Sequence, residues 1–215
     1  MTQEKTSTGY PSIDKPWLKY YSEETINAPL PECSVYEYMY QNNKDYPEQI
    51  AINYFGRKIT FAELFESIDK VATAFREIGV KEGDVVTIVS VSCVTCILCF
   101  YALNKIGAVS DYISVLSTEE EIGRYLVDSN SRYVVSLDLF AEKVLKVVAK
   151  NHINRVVVYS LKEWMPTSIG IGYLLKTRKF DKSFLKDKSV LMWNDFLKSA
   201  DGKKMEALGT FFKPV

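Results

Sequence analysis

Apolar residues recur along the chain in two different periods. Between Thr60 and Gly79, the residues Phe61, Leu64, Phe65, Ile68, Val71, Ala72, Phe75 and Ile78 follow the three-and-four spacing of one helix face, and Gly79 supplies a stop. Short β-branched or aromatic runs stand elsewhere: Ile50 to Tyr54, Lys58 to Ile59, Val85 to Val89, Ala108 to Ile113, Tyr133 to Ser136 and Arg155 to Tyr159. The first two flank Phe55-Gly56-Arg57 and predict a hairpin. From Val85 onward, strand and helical patterns alternate at the spacing of βαβ crossovers. The prediction is an α/β fold: a doubly wound, mostly parallel sheet with helices on both faces, preceded by a small hairpin.

Helix starts are marked by a Ser or Thr followed three residues later by Glu, a pair that satisfies the free backbone donors of a first turn. Ser34 with Glu37, Thr60 with Glu63 and Ser117 with Glu120 fit this pattern. Gly107 is suited to a left-handed cap between a helix and the strand at Ala108. Residues 1–33 read as an extended leader, 34–160 as an α/β domain, and 161–215 as an irregular basic segment in which Pro166, Gly170 and Gly172 interrupt the period. Internal repeats and low-complexity segments are absent from the sequence.

The stretch Val85 to Leu103 carries 19 residues without a charge, about the length that spans a bilayer. Its first part is β-branched and alternates with Thr87, Ser90 and Ser92, and its second part is Leu, Cys, Phe, Tyr and Ala. A buried strand running into a buried helix accounts for that change better than one membrane helix does.

Hydrophobic residues at 47% and charged residues at 25% are those of a globular protein and argue against disorder. Equal numbers of Lys plus Arg and Asp plus Glu, 27 of each, remove the general attraction that a nucleic-acid partner exploits. The balance is uneven, with 12 basic and 6 acidic residues from position 151 onward. Four cysteines are too few and too clustered for a disulfide framework, and MTQEKTSTGYPSIDKP lacks the apolar core of a secretory signal. A reducing cytoplasm is the expected compartment.

Cys93, Cys96 and Cys99 have a spacing that could ligate zinc or an iron-sulfur cluster from one helix face. A fourth ligand is missing and the neighbours Val94, Ile97, Leu98 and Phe100 are apolar, so three buried, reduced, metal-free thiols are expected. His152 is the one histidine, which leaves no Ser-His or Cys-His arrangement to propose. Gly170 and Gly172 form the closest glycine pair, but they follow no clear strand and precede no Lys-Ser or Lys-Thr, so no phosphate loop is expected. From Trp164, a run of large apolar residues leads into Lys176, Arg178, Lys179 and further lysines. That order suits a peripheral anionic membrane surface, with Trp164, Lys176, Arg178 and Lys179 as the contacting residues, or else a core-covering loop with a solvated tail.

Gly56 to Asp138 resembles the N-terminal region of AMP-forming acyl-CoA synthetases, the adenylate-forming ligases. The matching pieces are T-F-x-E-L at Thr60 to Leu64, G-V-x-x-G-D-x-V at Gly79 to Val86, A-L-x-K-x-G-A-V at Ala102 to Val109, and T-x-E-E-I-x-x-x-L-x-D-S at Thr118 to Ser129. Pro16 to Tyr21, PWLKYY, is similar to the leader of bacterial fatty-acid ligases. The resemblance implies that a carboxylate attacks the α-phosphate of MgATP to give an acyl-adenylate, and that CoA then displaces AMP. ATP, Mg and CoA would serve the complete enzyme, with none bound by this chain alone and no catalytic residue within it. Positions matching CoA contacts in acetate-activating relatives are Ser114, Val115 and Leu116, then Lys143 or Lys146, although the small glycines of that segment are absent here.

The family's phosphate loop, adenine-binding motifs and adenylating lysine would follow beyond GTFFKPV. One expectation is therefore an N-terminal part of a fatty-acid or related acyl-CoA ligase, inactive alone, whose partner is the C-terminal remainder. The other is a stand-alone α/β binding or interaction module derived from that scaffold.

Overall fold

The computed structural model describes residues 8–177, 187 and 189–203. Residues 1–32 and 33–215 separate into two compact units. In the first unit, α1 (Pro11–Asp14) is followed by a 3₁₀ turn at Pro16–Tyr20 and by α2 (Glu23–Asn27). The leader is thus not extended along its whole length. The Asp14 carboxylate accepts hydrogen bonds from the backbone N–H groups of Thr8 and Gly9, each at 2.9 Å, and the Ser22 hydroxyl caps α2 by accepting from Thr25 N–H. Such local side-chain bonds give short segments a shape that hydrophobic period does not reveal.

The second unit opens with α3 (Val35–Asn43), then β1 (Ile50–Tyr54) and β2 (Arg57–Thr60), which pair antiparallel. Phe55 and Gly56 both take positive φ, 52° and 87°, as a tight hairpin turn requires of its two central residues. Next come α4 (Phe61–Glu77), β3 (Val85–Ser90), α5 (Val94–Lys105), β4 (Val109–Ser114), α6 (Glu119–Asp128), β5 (Tyr133–Leu137), α7 (Ala141–Val148) and β6 (Arg155–Tyr159). After these lie α8 (Thr167–Thr177), β7 (Val190–Met192) and α9 (Trp193–Lys198). The described residues from 161 onward are therefore more regular than their sequence suggests. Pro166 stands just before α8, and its carbonyl accepts from Gly170 N–H at 2.8 Å, so the glycines sit inside a helix that the proline introduces.

Five strands form one parallel sheet in the order β4-β3-β5-β6-β7. The strands alternate between two cores. Val86 and Ile88, Val135 and Leu137, and Val157 and Tyr159 face α4, α5 and α9, whereas Val89, Ile113, Val134, Val156 and Val158 face α6 and α7. Both faces are covered, which is why these strands read as near-continuous apolar runs. The charge-free stretch divides at Val91 to Cys93 into β3 and α5, and no described helix is long and apolar enough to cross a membrane.

Reciprocal capping at Ser34/Glu37 and Thr60/Glu63 is present as expected. The third box lies one residue later than expected, at Thr118 and Glu121. Both registers satisfy the local pattern. The helix adopted buries Ile122 and Leu126 against the second core and leaves Glu119 and Glu120 in solvent. Gly107 has φ 73°, the left-handed conformation expected of it.

Candidate functional site

Counted along the chain, the parallel sheet has the order 2-1-3-4-5. In such sheets neighbouring strands that send their connections to opposite faces leave a crevice at their carboxyl ends, where ligands bind. Here β3 leads into α5 on one face and β5 into α7 on the other, so the crevice lies beside Ser90 and Leu137.

Four polar side chains meet beneath the carboxyl end of β3. The Ser90 hydroxyl makes a very short contact with the Tyr159 hydroxyl, and Cys93 Sγ lies 3.3 Å from the same tyrosine oxygen. Cys96 Sγ lies 3.1 Å from Ser90 Oγ and 3.1 Å from the Val91 carbonyl oxygen. Cys93 and Cys96 are 3.7 Å apart at sulfur. Cys93 stands at the N-cap of α5 with extended backbone, and Cys96 follows in the first turn, so both thiols point the same way.

The electrostatic environments of these thiols differ. The Cys96 hydrogen bond, joined by those of Tyr159 and the Cys96 backbone, holds the Cys93 thiol below the usual range against the cost of burial. Cys96 is pushed up, first by that same interaction and then by burial. Burial raises Cys99 and Tyr159 as well. The expectation that all three clustered cysteines are buried holds, at 6%, 8% and 0% exposure for Cys93, Cys96 and Cys99.

Cys93 and Cys96 border a groove of about 790 Å³ between the hairpin and α5. Its walls are mainly apolar and aromatic, from Met39, Ile52, Tyr54, Phe100, Tyr101 and Tyr112. Tyr112 donates its hydroxyl proton to the Cys96 carbonyl at 2.8 Å, which fixes that wall to α5.

A second cluster lies at the carboxyl end of the edge strand β4. Lys143 on α7 donates to the carbonyl oxygens of Val115 and Ser117, both at 2.7 Å, and Leu116 N–H donates to Ser114 Oγ at 3.2 Å. Four of the residues singled out in the sequence, Ser114, Val115, Leu116 and Lys143, therefore come together. Val115 is buried, while Leu116 projects with 86% exposure. Lys146 does not join them, pairing instead with Glu142 at 2.9 Å on the exposed face of α7.

The stretch from Trp164 divides. Trp164 packs partly against the first core, with the Arg57 guanidinium 4.8 Å from its ring centroid, whereas Ile171, Leu174 and Leu175 are exposed along one side of α8. Lys176 lies within α8, and Arg178 and Lys179 lie outside the described residues. The sequence reading missed Ser90 and Tyr159, whose one signal is their position at the ends of strand-like runs. Among the described residues no three His, Cys, Asp or Glu side chains cluster as metal ligands.

Comparison with known proteins places this geometry in a family. Residues 39–178 match the family model of the AMP-binding enzymes. The long-chain-fatty-acid–CoA ligase of Bacillus subtilis is 25% identical over 175 residues, covering 79% of this chain and 31% of the relative. A 2-succinylbenzoate–CoA ligase from Geobacillus is 34% identical over 98 residues, covering 46% of this chain and 20% of the relative. The coronafacic acid ligase of Pectobacterium brasiliense superposes with a TM-score of 0.63 at 16% identity, over 80% of this chain and 31% of that one, a likeness of fold alone. The chain thus spans about a third or less of the length of these relatives. Because the family match extends over more than half of its 215 residues, the chain belongs to the AMP-binding enzyme family.

Proposed function

We propose that this chain is the N-terminal portion of an ATP-dependent acyl-CoA ligase that acts on a fatty acid or related carboxylate in the cytoplasm. The observation that carries the reading is the family match over residues 39–178, with relatives named as CoA ligases. In the complete enzyme the carboxylate oxygen bonds to the α-phosphorus of ATP and pyrophosphate leaves. The CoA sulfur then bonds to the acyl carbon and AMP leaves. Ser114, Val115 and Leu116 are proposed to border the CoA path, with Lys143 holding their loop in shape and Lys146 offering an exposed positive charge. Lys143 directs two of its three donors to Val115 and Ser117, so its first role is positioning.

The chain alone is expected to show no ATP- and carboxylate-dependent pyrophosphate exchange above background. Exchange from purified chain, free of contaminating ligase, overturns this proposal. The coding sequence beyond residue 215 tests the relation to a larger enzyme. An open frame encoding a Thr/Ser- and Gly-rich loop ending in Pro-Lys supports it, and a stop codon with a stable, monodisperse product favours a stand-alone module.

The exposed apolar side of α8 immediately before Lys176, Arg178 and Lys179 supports weak peripheral binding to anionic membrane, which would shorten a fatty acid's route to the enzyme. Each basic residue near such a surface contributes about 1 kcal/mol, so replacing all three with Gln is expected to weaken co-sedimentation with anionic vesicles at low salt at least tenfold. Binding that ignores the substitutions removes this assignment.

A further inference from the structure

We propose that Cys93 and Cys96 form a redox-active thiol pair at the wall of the apolar groove, closing to an intrachain disulfide when a peroxide enters. Nothing in the ligase reading requires this pair, and the inference stands or falls independently of it.

The two sulfurs are 3.7 Å apart, and a disulfide needs about 2.05 Å. Residues three apart at a helix start are near neighbours, so side-chain rotation can close most of that gap without unwinding α5. The Cys93 sulfur lies 3.3 Å from the Tyr159 hydroxyl and 3.7 Å from the Cys96 sulfur, sulfur contacts that a rotation toward Cys96 exchanges for a bond. Both residues line the groove, which gives a small uncharged oxidant a route to sulfurs otherwise covered by protein. Cys99 shares their helix but is fully buried and absent from the groove wall, so it has neither access nor a partner there.

The two thiols have unequal roles. The interactions with Cys96 and Tyr159 favour a thiolate at Cys93, which makes it the attacking sulfur, while Cys96, whose thiol lies against the Ser90 hydroxyl and the Val91 carbonyl, stays protonated as the resolving thiol. In the first step Cys93 sulfur bonds to one peroxide oxygen, the O–O bond breaks, and the other oxygen leaves with a proton as water or an alcohol. Cys93 is then a sulfenic acid. Cys96 sulfur next bonds to Cys93 sulfur, the S–O bond breaks, and hydroxide takes the Cys96 proton and leaves as water. Two thiols are oxidised by two electrons and one peroxide is reduced.

The experiment treats the full chain with hydrogen peroxide and follows intact mass, thiol titration and peptide mapping. The expected result is a mass loss of about 2 Da, matching one disulfide. Two of the four thiols disappear, both return with dithiothreitol, and mapping places the bridge at Cys93–Cys96. Cys96→Ser is expected to stop at a Cys93 sulfenic acid trapped by dimedone, Cys93→Ser to form no bridge, and Cys33→Ser to bridge as the parent does. Persistence of four thiols in the parent chain, oxygen addition at Cys93 without a bridge, or a bridge that includes Cys33 or Cys99 overturns the proposal. Because the parent chain alone decides among these outcomes, a misfolded variant leaves the test intact.

Discussion

Replacing Phe75 with alanine is expected to destabilise the chain by about 3–5 kcal/mol, the cost of a large cavity in a closed core. Phe75 is fully buried on α4 and meets Phe196 of α9 edge to face, with ring centroids 5.0 Å apart. Phe196 in turn packs on Trp193, which faces Tyr159 of β6. The ring at position 75 therefore joins the helix after the hairpin to the helix after the last strand, two elements that sheet hydrogen bonds do not connect. Truncation would leave a void beside the Phe196 ring in a close-packed core. Urea unfolding followed by tryptophan fluorescence measures the loss. Val127→Ala, on an exposed position of α6, should change stability by no more than about 0.5 kcal/mol. A Phe75→Ala loss below about 1 kcal/mol would show that α9 does not close this core in solution.

The second large effect is expected at Lys143. Lys143→Met keeps much of the aliphatic stem but removes both hydrogen bonds to the Val115 and Ser117 carbonyls, each at 2.7 Å. Bonds from a charged donor contribute about 1.5–3 kcal/mol each, and solvent can replace part of this at an exposed loop, so a net loss of about 2 kcal/mol is expected. The local consequence is more specific than the global one. Amide exchange should accelerate across residues 114–117 and stay unchanged in β5 and β6, which bury their own ladder. If exchange rises equally in all three regions, Lys143 supports the fold generally and does not position this loop. Lys143→Arg retains charge and donors but not the compact ammonium that reaches two carbonyls, so it should recover only part of the protection.

Much of the architecture follows from local chemistry. The α4 stripe from Phe61 to Ile78, its Thr60–Glu63 cap and the stop at Gly79 each depend on residues within one or two turns, and each is present in the structure. The alternation of apolar runs with helical stretches likewise fits parallel strands, because their ends must be joined by crossovers of about that length. Where two local solutions were equal, sequence pattern could not choose. Ser117/Glu120 and Thr118/Glu121 have the same capping chemistry, and the folded chain uses the second, with Ile122 and Leu126 buried in the core. The α8 helix was obscured by Gly170 and Gly172, whose low helix propensity is outweighed in the folded context.

The sequence by itself determined the α/β class, the hairpin, the helix starts at Ser34 and Thr60, and the burial of the three clustered cysteines. Only the tertiary structure decided which distant groups meet. Ser90 and Tyr159 lie 69 residues apart, yet the parallel sheet brings their strand ends into contact, and Lys143, 28 residues from Val115, reaches the end of β4 because α7 packs on the same face. Period and propensity are properties of neighbours along the chain, with a reach of about four residues. Strand order depends instead on which buried faces are closed by which helices, and only the assembled sheet supplies that answer.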